Sequence, residues 1–322
     1  MPPTRITVVG SYATGLTMKV DRLPSSGETL LGTGYRVDYG GKGSNQAVGC
    51  ARLGAKVSFV AKIGKDAFGD MALGLYRDEG IDSAYIKQTA DAPTGVGFII
   101  VETSGHNCIT IDPGANELLT ADDVAQCEAA FDSAVVLTQL EIPVAAAEAA
   151  LACGRARGAL TILNPAPVRP LPRSVLQMVD ILTPNEAEAR VLAGHNSDDP
   201  IPPEEIAKEL IRSGVEQVVM TLGENGALIV AASSCKPVPA INVPAVDTTG
   251  AGDAFNAGLA VALASGASLE DAAKFAVITG GLAVTEEGVI PSLPRRDDVL
   301  QFYRRQGLVP AHWLSTEATI SG

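Results

Sequence analysis

The sequence predicts an α/β protein in which a mostly parallel central sheet lies between two layers of helices, with a small β-sheet lid. From residue 118 onward, apolar strand patterns alternate with helical patterns, the order that produces right-handed crossovers and a parallel sheet. Earlier in the chain, short strand patterns follow the first buried strand directly, which predicts an inserted flap. With 322 residues, 46% of them hydrophobic, the chain is long enough for one large core.

The N-terminal third is expected to supply the first core strand and the whole lid. The first buried strand covers residues 5–10, and the lid is expected from about residues 12–38 and 94–112. Between the two lid segments we predict a glycine loop that opens a helix ending at residue 53. The predicted elements after it are a strand at 57–63, a helix at 67–79, and two strands flanking Gly105, at 95–102 and 108–111.

The remainder is expected to complete the central sheet and its helices. One domain is predicted over residues 1–308, followed by a tail at 309–322 that carries the only tryptophan, Trp313. Two long helices rich in alanine and glycine, at 250–264 and 269–285, are expected to pack closely. The predicted strands are at 134–140, 160–163, 178–182, 217–221 and 227–232.

Composition excludes several classes of protein. The formal net charge of −13 argues against nucleic acid or an anionic membrane as a partner. The five cysteines are scattered and form no Cys-x-x-Cys pair, which favours reduced thiols in the cytoplasm. The three histidines have no metal-ligand spacing, so we expect no zinc site. No apolar run approaches the length of a membrane span.

The stretch from Asp247 to Phe255 carries the strongest chemical signal. Its Gly250-Ala251-Gly252-Asp253 segment precedes an alanine-rich helix and has almost no side chain at the helix start. Such a helix N-terminus presents free backbone N–H groups and a positive dipole end to an anion. Asp253 is placed to take a proton from a hydroxyl that attacks a phosphoryl group. The alternative is an ordinary capping aspartate.

A second glycine-rich stretch runs from Tyr39 to Ala47. Its glycines let the backbone and the Lys42 ammonium approach a polar ligand closely. It is not a P-loop, because Gly43 stands where that motif needs Ser or Thr. The turn after the first strand lacks the middle glycine of a dinucleotide fingerprint, which disfavours a nicotinamide enzyme. The alternative is a plain glycine loop before a helix.

Polar residues also follow four successive predicted strands. Each one alone is best explained as a helix cap. Four together indicate one shared site, because ligands bind beyond the carboxyl ends of parallel strands. These segments are at residues 138–141, 164–167, 183–188 and 221–226.

Both glycine-rich stretches, together with three of these strand-end segments, resemble the ribokinase (PfkB) family of carbohydrate kinases over residues 5–305. The resemblance implies a ribokinase-like fold, ATP as co-substrate, Mg²⁺ and K⁺, and a homodimer formed through the lid. It implies that Asp253 is the catalytic base and that the N–H groups of Gly250, Ala251 and Gly252 form the anion hole. The other implied roles are sugar contacts at Gly41, Lys42, Gly43, Asn45 and Glu141; nucleotide contacts at Asn185, Thr221, Gly223, Gly226, Gly252 and Val277; magnesium placement by Glu188; and a monovalent-cation site at Asp247, Thr249, Ala283, Glu286, Gly288 and Ser292.

The likeness is closest to the ribokinase branch, with one departure. That branch carries Asn-x-Asp after the first strand, where this chain has Ala13, Thr14 and Gly15. A site that hydrogen-bonds hydroxyls discriminates strongly, so the acceptor is expected to differ from ribose. Thr14, or Asp21 or Asp38 from the flap, is a candidate replacement.

We therefore expect an ATP-dependent kinase for a primary hydroxyl of a sugar or sugar-like alcohol. One alternative is a nucleoside kinase, for which Tyr12 and Phe98 are the candidate base contacts. Another is a non-catalytic sugar or nucleotide sensor, which the retained Asp253 disfavours.

Overall fold

The computed structural model describes residues 4–104, 106–310 and 312–315. The strands are β1 (Arg5–Val9), β2 (Ala13–Val20), β3 (Thr33–Gly40), β4 (Lys56–Gly64), β5 (Ile86–Thr89), β6 (Gly95–Glu102), β7 (Asn107–Asp112), β8 (Val135–Thr138), β9 (Leu160–Leu163), β10 (Ile181–Leu182), β11 (Gln217–Thr221), β12 (Ala227–Ala231) and β13 (Ser234–Val238). The helices are α1 (Lys42–Arg52), α2 (Ala67–Asp78), α3 (Ala121–Ala125), α4 (Val144–Ala156), α5 (Arg173–Leu176), α6 (Glu186–Leu192), α7 (Pro203–Ser213), α8 (Ala251–Ala264), α9 (Leu269–Ala283), α10 (Val289–Ser292), α11 (Arg296–Arg305) and α12 (His312–Ser315).

Nine strands form the central sheet, in the order β13-β12-β11-β10-β9-β8-β1-β4-β5. The strands from β11 to β5 pair in parallel, and β12 and β13 add antiparallel at one edge. Side chains alternate across β1, so that Ile6 and Val8 join one core and Val9 the other. Helices α1, α2, α8, α9 and α11 cover the first face, and α4 and α7 cover the second. The predicted three-layer α/β/α architecture is confirmed.

The lid is a separate four-stranded sheet in the order β3-β2-β6-β7. Strand β2 pairs with β3 antiparallel and with β6 in parallel, so the two lid segments predicted from distant parts of the chain form one sheet. Gly105, between β6 and β7, lies outside the described residues.

Small residues bring the helices beside the site into close contact, as predicted. A Cβ placed on Gly258 of α8 would lie 2.2 Å from Thr279 Oγ1 of α9, and one on Gly49 of α1 would lie 2.7 Å from Ala257 Cβ of α8. Larger side chains would push these helices apart. The middle of α8 is therefore held close to α1 and α9.

Two expectations for local structure needed correction. The strand predicted at residues 178–182 is limited to Ile181–Leu182, because the Met178 N–H bonds back to Val175 and the chain is still turning after α5. Strands β5 and β13 were not predicted; they are the two edges of the central sheet and have mixed polar composition.

The described part of the tail packs on the domain. The Trp313 ring stands edge-on to Phe275 of α9 with centroids 4.9 Å apart, and Leu314 is 1% exposed. Residues 316–322 of the predicted tail lie outside the described part. No helix among the described residues has the length and apolar character needed to cross a membrane.

Candidate active site

Asp253 lies buried in the first turn of α8, where two side-chain amides hold its carboxylate. Asn45 Nδ2 donates to Oδ2 at 2.8 Å and Gln46 Nε2 donates to Oδ1 at 2.9 Å. Both donors belong to α1, the helix that the glycine loop opens. The two sequence motifs, about two hundred residues apart, therefore meet at this carboxylate.

Burial raises the pKa of Asp253 above its usual value and exceeds the opposing effects around it. The Lys42 ammonium and the amides of Asn45 and Gln46 lower this pKa, and Glu141 raises it. A carboxylate with a raised pKa accepts a proton more readily than an exposed aspartate does. The side chain thus has the chemistry of a general base.

The N–H groups at the start of α8 are not capped by any described side chain. By contrast, Asp66, Asn185 and Ser268 cap α2, α6 and α9. Gly250 precedes α8 with φ 82°, a left-handed conformation that glycine adopts without strain. The Ala251 N–H makes one long bond of 3.3 Å to the Thr248 carbonyl. An uncapped helix N-terminus of this kind is suited to an anion.

The glycine loop packs directly on the turn after β1. A Cβ on Gly43 would lie 2.4 Å from the Ser11 nitrogen, so only glycine allows this approach. Ser11 Oγ donates to Glu141 Oε2 at 2.6 Å, and the Lys42 N–H donates to the same oxygen at 2.8 Å. Glu141 therefore ties the loop to the end of β8.

Lys42 lies among the carboxylates of the site. Burial lowers its pKa, but Asp253, Glu141 and Glu188 together raise the pKa above its usual value, so the ammonium stays charged. Lys42 therefore supplies a fixed positive charge that offsets part of the negative charge of these three acids.

A cleft of about 740 Å³ opens beside the uncapped helix start. It lies between the loop after β11, the segment 240–248, and the first turns of α8 and the last turns of α9. A Cβ placed on Gly252 would meet no atom within 4 Å, so the backbone at Gly252 faces open space. All the residues predicted for the nucleotide line the cleft: Asn185, Thr221, Gly223, Gly226, Gly252 and Val277.

Asn185 and Glu188 form a reciprocal capping box at the start of α6. The Asn185 N–H donates to Glu188 Oε2 at 2.9 Å, and the Glu188 N–H donates to Asn185 Oδ1 at 2.8 Å. Burial also raises the pKa of Glu188, which the Asn185 backbone and Lys42 lower and Asp253 raises. The pair thus has a structural role in addition to any contact with a ligand.

Asp247 organises the turn that precedes α8. Its Oδ1 accepts from the Thr249 N–H at 2.9 Å and hydroxyl at 2.7 Å, and its Oδ2 accepts from the Gly288 N–H at 3.0 Å. Although partial burial raises its pKa, these bonds lower it overall, so the carboxylate is ionised. The other residues predicted for the cation lie at the end of α9 and on to α10: Ala283, Glu286 and Ser292. In the described ranges, no three His, Cys, Asp or Glu side chains cluster to hold a metal ion.

The lid residues correct two expectations. Tyr12 is fully buried and packs edge-on against Tyr76, so it does not face a nucleobase, whereas Phe98 is 54% exposed. Thr14 is also fully buried beside the Tyr12 hydroxyl at 3.2 Å, so it does not replace the absent carboxylate.

Asp38, unlike Thr14, lies on the lid face that carries Gly15. It stands opposite Gly15 across the β2–β3 ladder, and a Cβ on Gly15 would be 3.7 Å from the Asp38 Cβ. Arg36 pairs with Asp38 at 2.8 Å and with Glu287 of the domain body at 3.1 Å, so this face is turned toward the body. Asp21 is exposed at the end of β2.

Sequence reasoning did not single out Ser11, Gln46 or Asn256, although Ser11 and Gln46 lie within the stretches it described. Ser11 follows the first strand directly, and Gln46 lies in the glycine-rich stretch. Their location in these two segments is the feature of the sequence that could have identified them. Asn256 gives no signal in the sequence, since it lies inside an alanine-rich helix.

Comparison with known proteins agrees with this geometry. Residues 3–296 match the model of the pfkB family carbohydrate kinases. The chain is 38% identical over 298 residues to a ribokinase of Haemophilus influenzae, covering 92% of this chain and 97% of that protein. It is 34% identical over 291 residues to a deoxyribokinase of Salmonella typhi, covering 90% and 95%.

A solved structure of Arabidopsis thaliana ribokinase complexed with ribose and ATP superposes with a TM-score of 0.86 at 30% identity, covering 98% of this chain and 100% of that one. The match of the family model to most of the chain, the relatives and the shared fold lead to one conclusion: the chain belongs to the pfkB family of carbohydrate kinases, and it is an ATP-dependent sugar kinase.

Proposed function

We propose that this kinase transfers the terminal phosphoryl group of ATP to a primary hydroxyl of a sugar or sugar-like alcohol other than ribose. One observation carries the catalytic part of the proposal. The buried Asp253 carboxylate, held by two amides, lies one residue from the point where the uncapped start of α8 opens on the 740 Å³ cleft. A base and an anion site are thus adjacent, as phosphoryl transfer requires.

In this proposal Asp253 removes the proton from the acceptor hydroxyl as the hydroxyl attacks. The backbone N–H groups of Gly250, Ala251 and Gly252 stabilise the charge on the transferring group, because donors fixed before the reaction need no reorganisation. Lys42, kept charged by its acidic neighbours, adds a positive charge on the acceptor side. The lid excludes water, so that the acceptor is phosphorylated in preference to water.

The cleft is the proposed binding site for ATP. Its wall combines small or apolar residues such as Val277 and Gly281 with the polar Thr221 and Asn185, which is the composition expected for a base at one end and phosphates at the other. Mg²⁺, when bound, would neutralise charge on the phosphates of ATP. Glu188 is the residue of this chain that would help to hold it.

The acceptor pocket is expected between the glycine loop and the lid. Gly41, Gly43 and Glu141 form its floor with Asn45, whose Oδ1 is buried and has no hydrogen-bond partner among the described residues. A buried acceptor without a partner is costly, so we assign it to a hydroxyl of the substrate.

On the lid side of this pocket, Ala13 and Gly15 carry no polar atom beyond the backbone, and the Asp38 carboxylate on the same face as Gly15 is paired with Arg36. A sugar that needs two ring hydroxyls held by a carboxylate is therefore expected to bind poorly. The relative named deoxyribokinase supports an acceptor with fewer ring hydroxyls as one candidate.

We also propose a K⁺ site at the turn that Asp247 organises. The ionised carboxylate supplies charge beside the backbone carbonyls of Ala283 and its neighbours. Since the same turn leads into α8, an ion here would order the anion site, which predicts activation by K⁺.

A homodimer through the lid completes the proposal. Large apolar side chains are exposed on the lid, Met18, Tyr35 and Phe98 on one face and Ile109 and Ile111 on the other. Exposed apolar side chains of this size are typical of an interface. Sedimentation of the protein and of Phe98→Asp tests this, with dissociation of the variant expected.

All five cysteines are free thiols, which supports a cytoplasmic location.

The experiment that tests the function is an ATP-consumption screen over pentoses, deoxypentoses, hexoses, sugar alcohols and nucleosides, with and without K⁺. We expect turnover of at least one sugar or alcohol, and slow turnover of ribose. Ribose as the best acceptor would contradict the substrate proposal, and a nucleoside as the best acceptor would replace it.

A further inference from the structure

Gln46 makes three hydrogen bonds in the interior, and they use its whole amide group. Its Nε2 donates to Asp253 Oδ1 at 2.9 Å and to Asn164 Oδ1 at 3.1 Å. Its Oε1 accepts from Gln139 Nε2. Gln46 and Gln139 are fully buried, and Asn164 is 7% exposed. Both amide hydrogens and the amide oxygen are therefore engaged, which fixes the orientation of the side chain.

The bonds continue from Asn164 and return to the start of α8. Asn164 Nδ2 donates to the Thr183 carbonyl at 3.1 Å, and Thr183 Oγ1 donates to Asn256 Oδ1 at 2.6 Å. Asn256 Nδ2 then donates to the Gly252 carbonyl at 2.8 Å. Since Gly252 precedes Asp253 in the chain, these contacts close a ring, which we call the amide ring.

The amide ring joins elements that are distant in sequence: α1, the ends of β9 and β10, and the first turn of α8. Its members are neutral except for Asp253, and its contacts are buried except the one between Asn256 and the Gly252 carbonyl, which is partly buried. A fully satisfied polar network in a low-dielectric interior is rigid, because every broken bond leaves a buried group without a partner.

From this geometry we infer that Gln46 is the positioning residue of the reaction: it fixes the Asp253 carboxylate in line with the acceptor hydroxyl and couples it to the uncapped start of α8. This inference rests on the proposed role of Asp253 as the base. No other side chain of similar size donates two hydrogen bonds and accepts one. Asparagine is one methylene shorter, and glutamate cannot donate a hydrogen bond when it is ionised. Methionine has no hydrogen to donate, and its sulfur is only a weak acceptor.

The charged groups around Asp253 determine what loss of Gln46 does to its titration. Lys42 faces the carboxylate from α1, Glu141 from the loop after β8 and Glu188 from α6. Of the groups that stabilise the ionised form, Lys42 and Asn45 remain when Gln46 is replaced. Removing one donated bond therefore moves the titration of Asp253 upward, because a hydrogen bond to the ionised form favours that form.

The test compares Gln46→Met and Gln46→Glu with wild type and with the control Thr7→Val. Thr7 is fully buried in β1 and its hydroxyl donates to the Ala130 carbonyl, so the control removes a buried hydrogen bond away from the site. For Gln46→Met we expect kcat to fall by about tenfold to a hundredfold, as for a misplaced reacting group, with the KM for ATP unchanged. The acid limb of the pH profile should move up by about one pH unit, the size expected for one bond to a charged group.

In Gln46→Glu the shape of the side chain is kept, but a second carboxyl group faces Asp253. The acid limb of the pH profile should therefore lie at a higher pH than in Gln46→Met. The control should keep the wild-type kcat and acid limb even where its melting temperature falls. Gln46→Met with wild-type kcat and an unmoved acid limb would overturn the inference, since a purely structural role predicts that result.

A second readout does not depend on activity. The carboxyl ¹³C resonance of Asp253, assigned by its loss in Asp253→Asn, is titrated in wild type and in Gln46→Met. A higher midpoint in the variant supports the inference, and equal midpoints overturn it. If wild type phosphorylates no acceptor in the screen, the proposed function fails while this titration still decides whether Gln46 holds the carboxylate.

Discussion

Replacing Gly252 with alanine should reduce catalysis without weakening the fold. A Cβ at this position meets no atom within 4 Å, and the backbone is not in the left-handed region, so the folded state accepts it. Alanine is preferred over glycine in a helix by up to about 1 kcal/mol, and by less in the first turn. We therefore expect a melting temperature between that of wild type and about 2 °C above it.

The same methyl group projects into the cleft where the transferring phosphoryl group would approach the N–H groups of α8. Loss of one such donor typically lowers kcat by about a hundredfold or more, and partial obstruction should lower it by at least about tenfold. ADP release, measured with the best acceptor from the screen, gives kcat. Thermal unfolding of the same samples gives the melting temperature.

Gly74→Ala is the matched control. Gly74 lies in α2, and a Cβ there would come no closer than 3.9 Å to the Arg77 Nη2 atom. It makes the same substitution in a helix away from the cleft, with a gain in helix propensity of the same sign, so kcat should stay at the wild-type value. If Gly252→Ala also keeps the wild-type kcat, the start of α8 does not receive the phosphoryl group and the reasoning is refuted.

Three other predictions concern pH, the acceptor and the cation. Because burial raises the pKa of Asp253 and the ionised form is needed, activity should fall with decreasing pH at values above the ordinary aspartate pKa of about 3.9; an acid limb at or below that pKa would argue against this base. Gly15→Asp should raise kcat/KM for ribose by about tenfold, the size expected for a charged hydrogen bond, since its Cβ would make only ordinary contacts; no gain would show that the acceptor does not reach this strand. Asp247→Asn should raise the K⁺ concentration for half-maximal activity by about tenfold, and an unchanged K⁺ response would remove Asp247 from the cation site.

The sequence was sufficient to predict the architecture because its patterns are local and strong. Buried parallel strands such as β1 and β11 are mostly apolar, and the helices between them have regular spacing. Edge strands β5 and β13 lack that signal because they are only partly buried. The short β10 was predicted too long because the apolar Met178 and Val179 belong to the turn that precedes the strand.

Residues of the site were predictable where glycine or an acid marks the chemistry. The meeting of Asp253 with the glycine loop depends on tertiary packing, and no local pattern encodes it. The same holds for Thr14 and Tyr12, whose orientation follows from the alternation of β2 and the packing of Tyr76. The bonds of Gln46 to Asn164 and Gln139 depend on the packing of α1 against the ends of β8 and β9, which no local pattern encodes.

The most direct measurement of the central claim is the turnover of Asp253→Asn with the best acceptor, alongside its affinity for ATP. We predict that kcat falls by about a hundredfold or more while ATP still binds, because the cleft residues are unchanged and only the proton acceptor is lost. Turnover close to wild type in a folded variant that binds ATP would contradict it.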